Sequence, residues 1–447
     1  MTSAIEQLAA NLSFSTFNKA EDLKKRIWFT LAVLIIYRFG TYVPLPGINP
    51  DVIREFTQQN AGGILGILDM FSGGAISRMT IFALNIMPYI SASIIVQLMT
   101  SISPHFEALK KEGESGKRKL TQYTRYGTVL LASIQAYGIA IALEKITAHS
   151  GAAVLMPGML FRITTVITLT GSTLFIMWLG EQITSRGIGN GTSLIIYSGI
   201  VANLPQALLN TLELGRQDAI PFLVLLLILV MAVVVIAYIV FMEKAQRKIV
   251  IQYPKRQMAA NRPAVAQTTH LPLKLNVSGV IPPIFASSLL LLPGTVIGFA
   301  GSDPDTFWGL VGGHLAHGKP LYMAFFVSLI IFFAFFYTAV VFNPSETAEN
   351  LRKMGTFIPG IRPGKPTSDY LDYVLTRLTA VGALYLASIC ILPELILAKV
   401  ALPFYFGGTS LLIVVSVTID TFSQVQSHLL AHQYEGLIKK SSLKGRG

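Results

Sequence analysis

Apolar residues in this chain come in long unbroken runs, not at the helical or alternating spacing of a water-soluble core. Residues 219–242 carry no charged side chain over 24 positions, and a helix needs about 20 such residues to cross hydrocarbon. Comparable windows recur near 27–43, 80–100, 123–143, 159–180, 192–209, 277–298, 321–342, 374–396 and 403–419. Together they predict an all-α polytopic membrane protein with ten transmembrane helices.

Charge fixes how those helices are strung. Only 13% of the 447 residues are charged, against about 25% in an ordinary soluble domain, which excludes a soluble enzyme. The net charge is +12, and its placement matters more than its size. With loops taken on alternate sides, 25 of the 35 Lys and Arg fall on the side that holds both termini and 6 on the other. That bias predicts cytoplasmic termini in a multi-pass protein of the cytoplasmic membrane. About 25 polar residues precede the first crossing without a cleavage pattern behind it, so a retained N-terminus is expected.

Five crossings precede a short link at 210–218 and five follow it. An odd number per half makes residues 1–209 and 219–447 enter the membrane from opposite sides, the layout of inverted repeats meeting at a central pathway. A ten-helix bundle without internal symmetry has the same count.

Several chemistries are missing from the sequence. Arg38, Arg162, Glu181, Glu394 and Asp420 fall near crossing ends, where they read as interfacial anchors and not as midplane ion-coupling groups. In GESGKRK (113–119) the glycine spacing is wrong for a phosphate-binding loop and Arg118 stands where a magnesium-binding hydroxyl is needed. His428 and His432, like His314 and His317, lack the Cys or carboxylate partners of a metal site, and Cys390 is the single cysteine. The reading is a protein with no cofactor, no metal and no catalytic set, driven by a partner or a gradient. Three classes stay open on the residues alone: a channel, a small-solute secondary transporter with inverted repeats, and a membrane-embedded enzyme.

Three features carry more information. The segment GGILGILDMFSGGAISR (62–78) has an apolar stretch of about eleven residues between glycine pairs. That is too short to span, so it predicts a surface helix or a re-entrant one lodged in a protein-lined cavity. Pro88 lies in IMPYISASII (86–95) and Pro282 with Pro283 in GVIPPIFASS (279–288); read as internal to their crossings, they predict kinked helices whose serines allow close approach. The cytoplasmic loops 243–276 and 343–373 hold 11 basic residues. Such loops suit RNA phosphate, acidic proteins or anionic lipid, or serve orientation alone.

The motifs PLPGI (44–48), MFSGGAISR (70–78), IMPYISASII, KKEGESGKRKLTQYTRYG (110–127), WLGEQITSRGIGNG (178–191), THLPLK (269–274), GIRPG (360–364), TRLTAVGALYL (376–386) and FYFGGTSLLIVV (404–415) resemble, in order and spacing, the SecY family of protein-translocase channel subunits. The resemblance implies two inverted five-helix halves around an hourglass pore. It implies that Ile86, Ile90, Ile196, Ile284 and Ile413 form an apolar ring at the pore waist. The 62–78 segment becomes a plug, through Gly62, Gly63, Ile64, Leu65, Gly66, Ile67, Leu68, Met70, Phe71, Gly73 and Gly74.

The same resemblance makes the second and seventh crossings a lateral gate for signal peptides and nascent chains entering the lipid bilayer. Pro88, Ser91, Ile94 and Gln97 lie on one side of it, with Asn276, Pro282, Pro283 and Ser287 on the other. Arg247, Lys248, Lys255, Arg256, Arg262 and Arg362 are implied as docking residues for the ribosome and the motor ATPase SecA. Small membrane subunits like SecE and SecG are implied as partners.

Overall fold

The computed structural model describes residues 21–59, 69, 72–148, 151–217, 222–252, 268–300, 319–397 and 407–444. In chain order the first half contains α1 (Glu21–Gly40), α2 (Pro50–Gln59), α3 (Met87–Ile102), α4 (Pro104–Lys111), α5 (Glu114–Lys145), a two-residue hairpin of β1 (Thr147–Ala148) and β2 (Gly151–Ala152), α6 (Met159–Arg186) and α7 (Gly191–Arg216). The second half contains α8 (Phe222–Lys244), β3 (Gln246–Gln252), β4 (Thr268–Lys274), α9 (Ile281–Ala300), α10 (Pro320–Val341), α11 (Pro344–Lys353), α12 (Lys365–Leu397) and α13 (Gly408–Lys444). A helix occupies each of the ten apolar windows. Among the described residues, six helices are long and apolar enough to cross a membrane.

Large apolar side chains on the outer helix faces stay exposed, among them Trp28, Phe39, Leu160 and Leu223. On helices of this length such faces are built for hydrocarbon. The inward faces form one apolar cluster that runs through both halves, from Val33 and Tyr37 on α1 to Leu412 and Val417 on α13.

Helix starts follow local chemistry. The Asn190 side chain accepts from the Thr192 amide at 3.1 Å to cap α7, and Asn343 caps α11 by accepting from the amides of Ser345 and Glu346. These bonds satisfy amides that have no partner within the helix.

Four expectations change. First, the prolines are not internal kinks. Residues 81–86 are turns, and α3 begins at Met87 with Pro88 in its first turn. Pro282 and Pro283 likewise stand in the first turn of α9. Proline belongs there because the first-turn amides have no helical acceptor to lose. Prolines do stand inside helices elsewhere, at Pro205 in α7, Pro293 in α9 and Pro393 in α12. Second, the link at 210–218 is mostly helix, since α7 runs on to Arg216.

Third, three of the expected interfacial anchors are ion-paired, Asp420 with Lys274 at 3.9 Å and Glu181 and Arg162 more closely. Glu181 takes two bonds from Arg125, at 2.6 and 3.1 Å, and Arg162 reaches Glu144 at 2.6 Å. Both pairs tie α5 to α6. Fourth, the described parts of the loops 243–276 and 343–373 pack together. Alternation along β3 turns Ile249 and Ile251 inward, where they join Leu273, Leu351, Ile358 and Leu371 in a common core. Gln252 and Phe357 exchange backbone hydrogen bonds at 2.9 and 3.1 Å, joining the hairpin to the second loop.

Candidate functional site

The five ring isoleucines come from four helices. Ile86 is the residue before α3 and Ile90 lies one turn along it, so both share a face. Ile196 comes from α7, Ile284 from α9 and Ile413 from α13. All five are buried, at 0 to 8% exposure, within the same apolar cluster. The five therefore lie in apolar, solvent-shielded surroundings. Three of the five, Ile86, Ile90 and Ile196, come from the N-terminal half, and two, Ile284 and Ile413, from the C-terminal half. One turn before Ile196, the Thr192 hydroxyl donates to Asn190 Oδ1 at 2.7 Å. That hydroxyl serves the helix start.

The helices expected to form the gate, α3 and α9, are in contact. Ser288 on α9 points its hydroxyl at the Met87 sulfur on α3, 3.9 Å away. Pro88, Ser91, Ile94 and Ser287 are buried, so small and apolar surfaces face each other along the seam.

The two polar residues assigned to this gate are engaged differently. Asn276 donates from Nδ2 to Glu243 Oε1 at 2.8 Å and to the Gly279 carbonyl at 3.0 Å, while its own oxygen accepts from Ser278 at 3.0 Å. Gln97 donates to Ser93 Oγ at 3.4 Å, and its Oε1 is buried with no hydrogen-bond partner among the described residues. A buried acceptor left unpaired costs about 1–3 kcal/mol, which weakens the closed seam at that point. Glu243 was not singled out by the sequence. Its signal is position, one residue beyond the uncharged run 219–242.

Of the plug residues, Gly62 through Leu68, Met70 and Phe71 lie outside the described residues. Gly73 and Gly74 are described, both in the left-handed region at φ +69° and +82°, where glycine carries no Cβ penalty. Their carbonyls accept from Arg38 and Arg78. Arg38, another of the expected anchors, turns instead to a specific backbone partner. Just upstream, the Asp69 carboxylate accepts from the Ser77 amide at 2.7 Å. Burial of Asp69 pushes its carboxyl above the ordinary value, against the opposing pull of that amide and of the Arg78 charge.

In the two long loops, Arg247 and Lys248 are exposed on β3 and Arg362 is exposed beyond Gly360. The shared apolar core below them places these cations on one platform. Lys255, Arg256 and Arg262 lie outside the described residues.

The SecY family model matches residues 80–422. The chain is 55% identical over 423 residues to the protein translocase subunit SecY of Rickettsia felis, covering 95% of this chain and 97% of that one. Among solved structures, a protein-conducting channel superposes with a TM-score of 0.67 at 18% identity, covering 91% and 92% of the two chains. Sec61 in the canine ribosome-channel complex from the endoplasmic reticulum gives 0.62 over the same shares, also at 18% identity. With its ten helices in order and its motifs matched along nearly the whole length, the chain belongs to the SecY family of protein translocase subunits.

Proposed function

We propose that this chain is the protein-conducting channel of a Sec translocase. It passes unfolded, signal-bearing polypeptides through the isoleucine waist and releases transmembrane segments sideways between α3 and α9. The observation that supports the reading is that Ile86, Ile90, Ile196, Ile284 and Ile413, from both halves, are all buried in one apolar cluster. Branched apolar side chains offer a passing chain no charge or hydrogen bond to cling to, and an empty constriction of this kind dewets and resists ions. The waist seals without binding.

A signal sequence brings an apolar stretch of about 7–15 residues. Between α3 and α9 it exchanges one set of apolar contacts for another, so the seam needs only a few kcal/mol between its closed and open states. Segment 62–78 acts as the plug of the resting channel. The chain holds no reaction centre of its own; SecA or the ribosome supplies the drive.

Arg247, Lys248 and Arg362 on the shared platform, with Lys255, Arg256 and Arg262 in the same loop, form the docking surface for both. The solved relative Sec61 in a ribosome-channel complex supports the ribosome as partner. Small subunits like SecE and SecG cover part of the exposed apolar helix faces. The basic excess on one side supports a bacterial cytoplasmic membrane with both termini inside. A secondary transporter needs a polar substrate site at the midplane, and the place where the halves meet is apolar.

The test replaces Cys390 by Ala, puts a single cysteine at Ile90 and seeks a disulfide to a secretory chain stalled during export. A cross-link that requires the signal sequence is expected. Its absence at every ring position, together with uptake of a small solute by vesicles, would overturn the reading.

A further inference from the structure

Two arginines and a tyrosine grip a single turn at the downstream end of segment 62–78. Arg38, in the last turn of α1, donates from Nη1 to the Gly73 carbonyl at 2.7 Å and from Nη2 to the Tyr42 hydroxyl oxygen at 3.0 Å. Arg78 donates from Nε to the Gly74 carbonyl at 2.9 Å and from Nη2 to the Gly73 carbonyl at 3.1 Å. The Gly73 oxygen thus uses both lone pairs on guanidinium donors.

Both cations also lie against the Tyr42 ring, Arg38 at 5.0 Å and Arg78 at 4.1 Å from its centre. The negative ring face and the carbonyl oxygens offset the repulsion between two like charges held this close. Only a planar fork with several N–H groups serves a carbonyl, a hydroxyl and a ring face together, which is why arginine and not lysine fits.

The turn itself is closed from within. The Asp69 carbonyl accepts from the Gly74 amide at 2.9 Å and from the Ser72 hydroxyl at 3.0 Å, and the Ser77 hydroxyl donates to the Gly74 carbonyl at 3.0 Å. On its other flank α7 presses close. A Cβ at Gly73 would stand 3.0 Å from the Cα of Gly199. Three separate elements of the N-terminal half therefore hold one short stretch of backbone: α1 through Arg38, the α1–α2 connection through Tyr42, and α7 through Gly199.

We propose that Arg38, Tyr42 and Arg78 are positioning residues that fix the Asp69–Arg78 turn to the N-terminal half, and so anchor the downstream root of segment 62–78 and hold the resting seal. The sealing part rests on the plug reading above; the clamp part does not. None of the three residues belongs to the ring or the gate seam, so loosening them leaves the route of translocation in place.

The test compares the full chain with Arg38→Met and Arg78→Met in lipid nanodiscs by amide hydrogen exchange, and in proteoliposomes by resting chloride conductance. Losing a hydrogen bond to a charged group corresponds to roughly tenfold or more in a local opening equilibrium. Exchange across residues 72–80 is therefore expected to quicken about tenfold or more, with α5 and α6 unchanged and conductance raised. Unchanged exchange at 72–80 in both variants overturns the clamp. Faster exchange with unchanged conductance overturns the sealing role and the plug reading with it. If Arg78→Met unprotects α5 and α6 as well, Arg38→Lys takes its place. It keeps the charge at the end of α1 but loses the planar fork, and unchanged exchange at 72–80 in that variant overturns the clamp equally.

Discussion

The isoleucine cluster, drawn from both halves, and the arginine-held turn of the N-terminal half are built on opposite principles. At the waist, Ile86, Ile90, Ile196, Ile284 and Ile413 hold together by apolar contact alone, which has no preferred direction and which any apolar guest can replace. At the turn, Arg38 and Arg78 hold two carbonyls by directional, charge-assisted bonds, which a guest cannot replace without matching their geometry. A pore that must release whatever enters it needs the first kind of surface. A seal that must return to one place needs the second.

Breaking the waist is the severest way to test that contrast. Ile90→Asp puts a carboxylate into apolar, solvent-shielded surroundings, where an unpaired ionised group costs well over about 3 kcal/mol unless it takes up a proton or opens the site to water. Resting ion conductance of reconstituted channels is expected to rise strongly, with slowed export by single-turnover assay. Ordinary sealing by this variant would show that the waist is not the barrier.

Next in size is Gly74→Ala. The residue sits at φ +82°, and a Cβ there would stand 2.8 Å from Arg78 Nη2. Left-handed strain costs on the order of 1–2 kcal/mol for a non-glycine residue, before the arginine is displaced. Faster proteolysis near residues 72–80 is the expected outcome, with translocation of a strong signal sequence retained.

The pH dependence is subtler. Asp69 in the seated turn has its carboxyl raised above the ordinary 3.8 by burial, so the seated form binds a proton more tightly than the released form. That contribution is fully present below the ordinary carboxylate value and is lost as pH rises through the raised one. Resting conductance should therefore increase as pH climbs across that window. Asp69→Asn keeps an oxygen for the Ser77 amide and is expected to flatten the response; an unchanged slope would assign it to another group.

The smallest effect belongs to Ile90→Leu. A volume-conserving apolar swap costs under about 1.5 kcal/mol, so leak and export are both expected near their original values. A large loss would mean that the ring depends on shape and not on apolarity, and would erase the contrast with the turn.

The gate shows where sequence reasoning reached and where it stopped. That Pro88 and Pro282 mark special places in their crossings was legible, because proline is rare inside a spanning run and costly there. Whether each opens a helix or bends one was not. The answer depended on residues 81–86 forming turns and on Asn85 adopting φ +49°, which no local pattern signals. Gln97 and Asn276 entered only through the family resemblance, as members of the gate. That Asn276 is spent on Glu243, while Gln97 Oε1 is left unpaired among the described residues, required knowing which helix lies beside which.

By itself the sequence determined the ten crossings, their alternation and the family, because hydrocarbon imposes a length and a composition on every span and admits no exposed backbone. Those constraints act on contiguous residues and are written contiguously. Tertiary structure alone decided that five isoleucines from four helices share one buried cluster, that the two long loops share one core, and that Arg38 turns to the Gly73 carbonyl. Each of these joins residues far apart in the chain through contacts of specific geometry. A pattern read along one strand of sequence carries spacing, and such contacts are settled only when the helices pack.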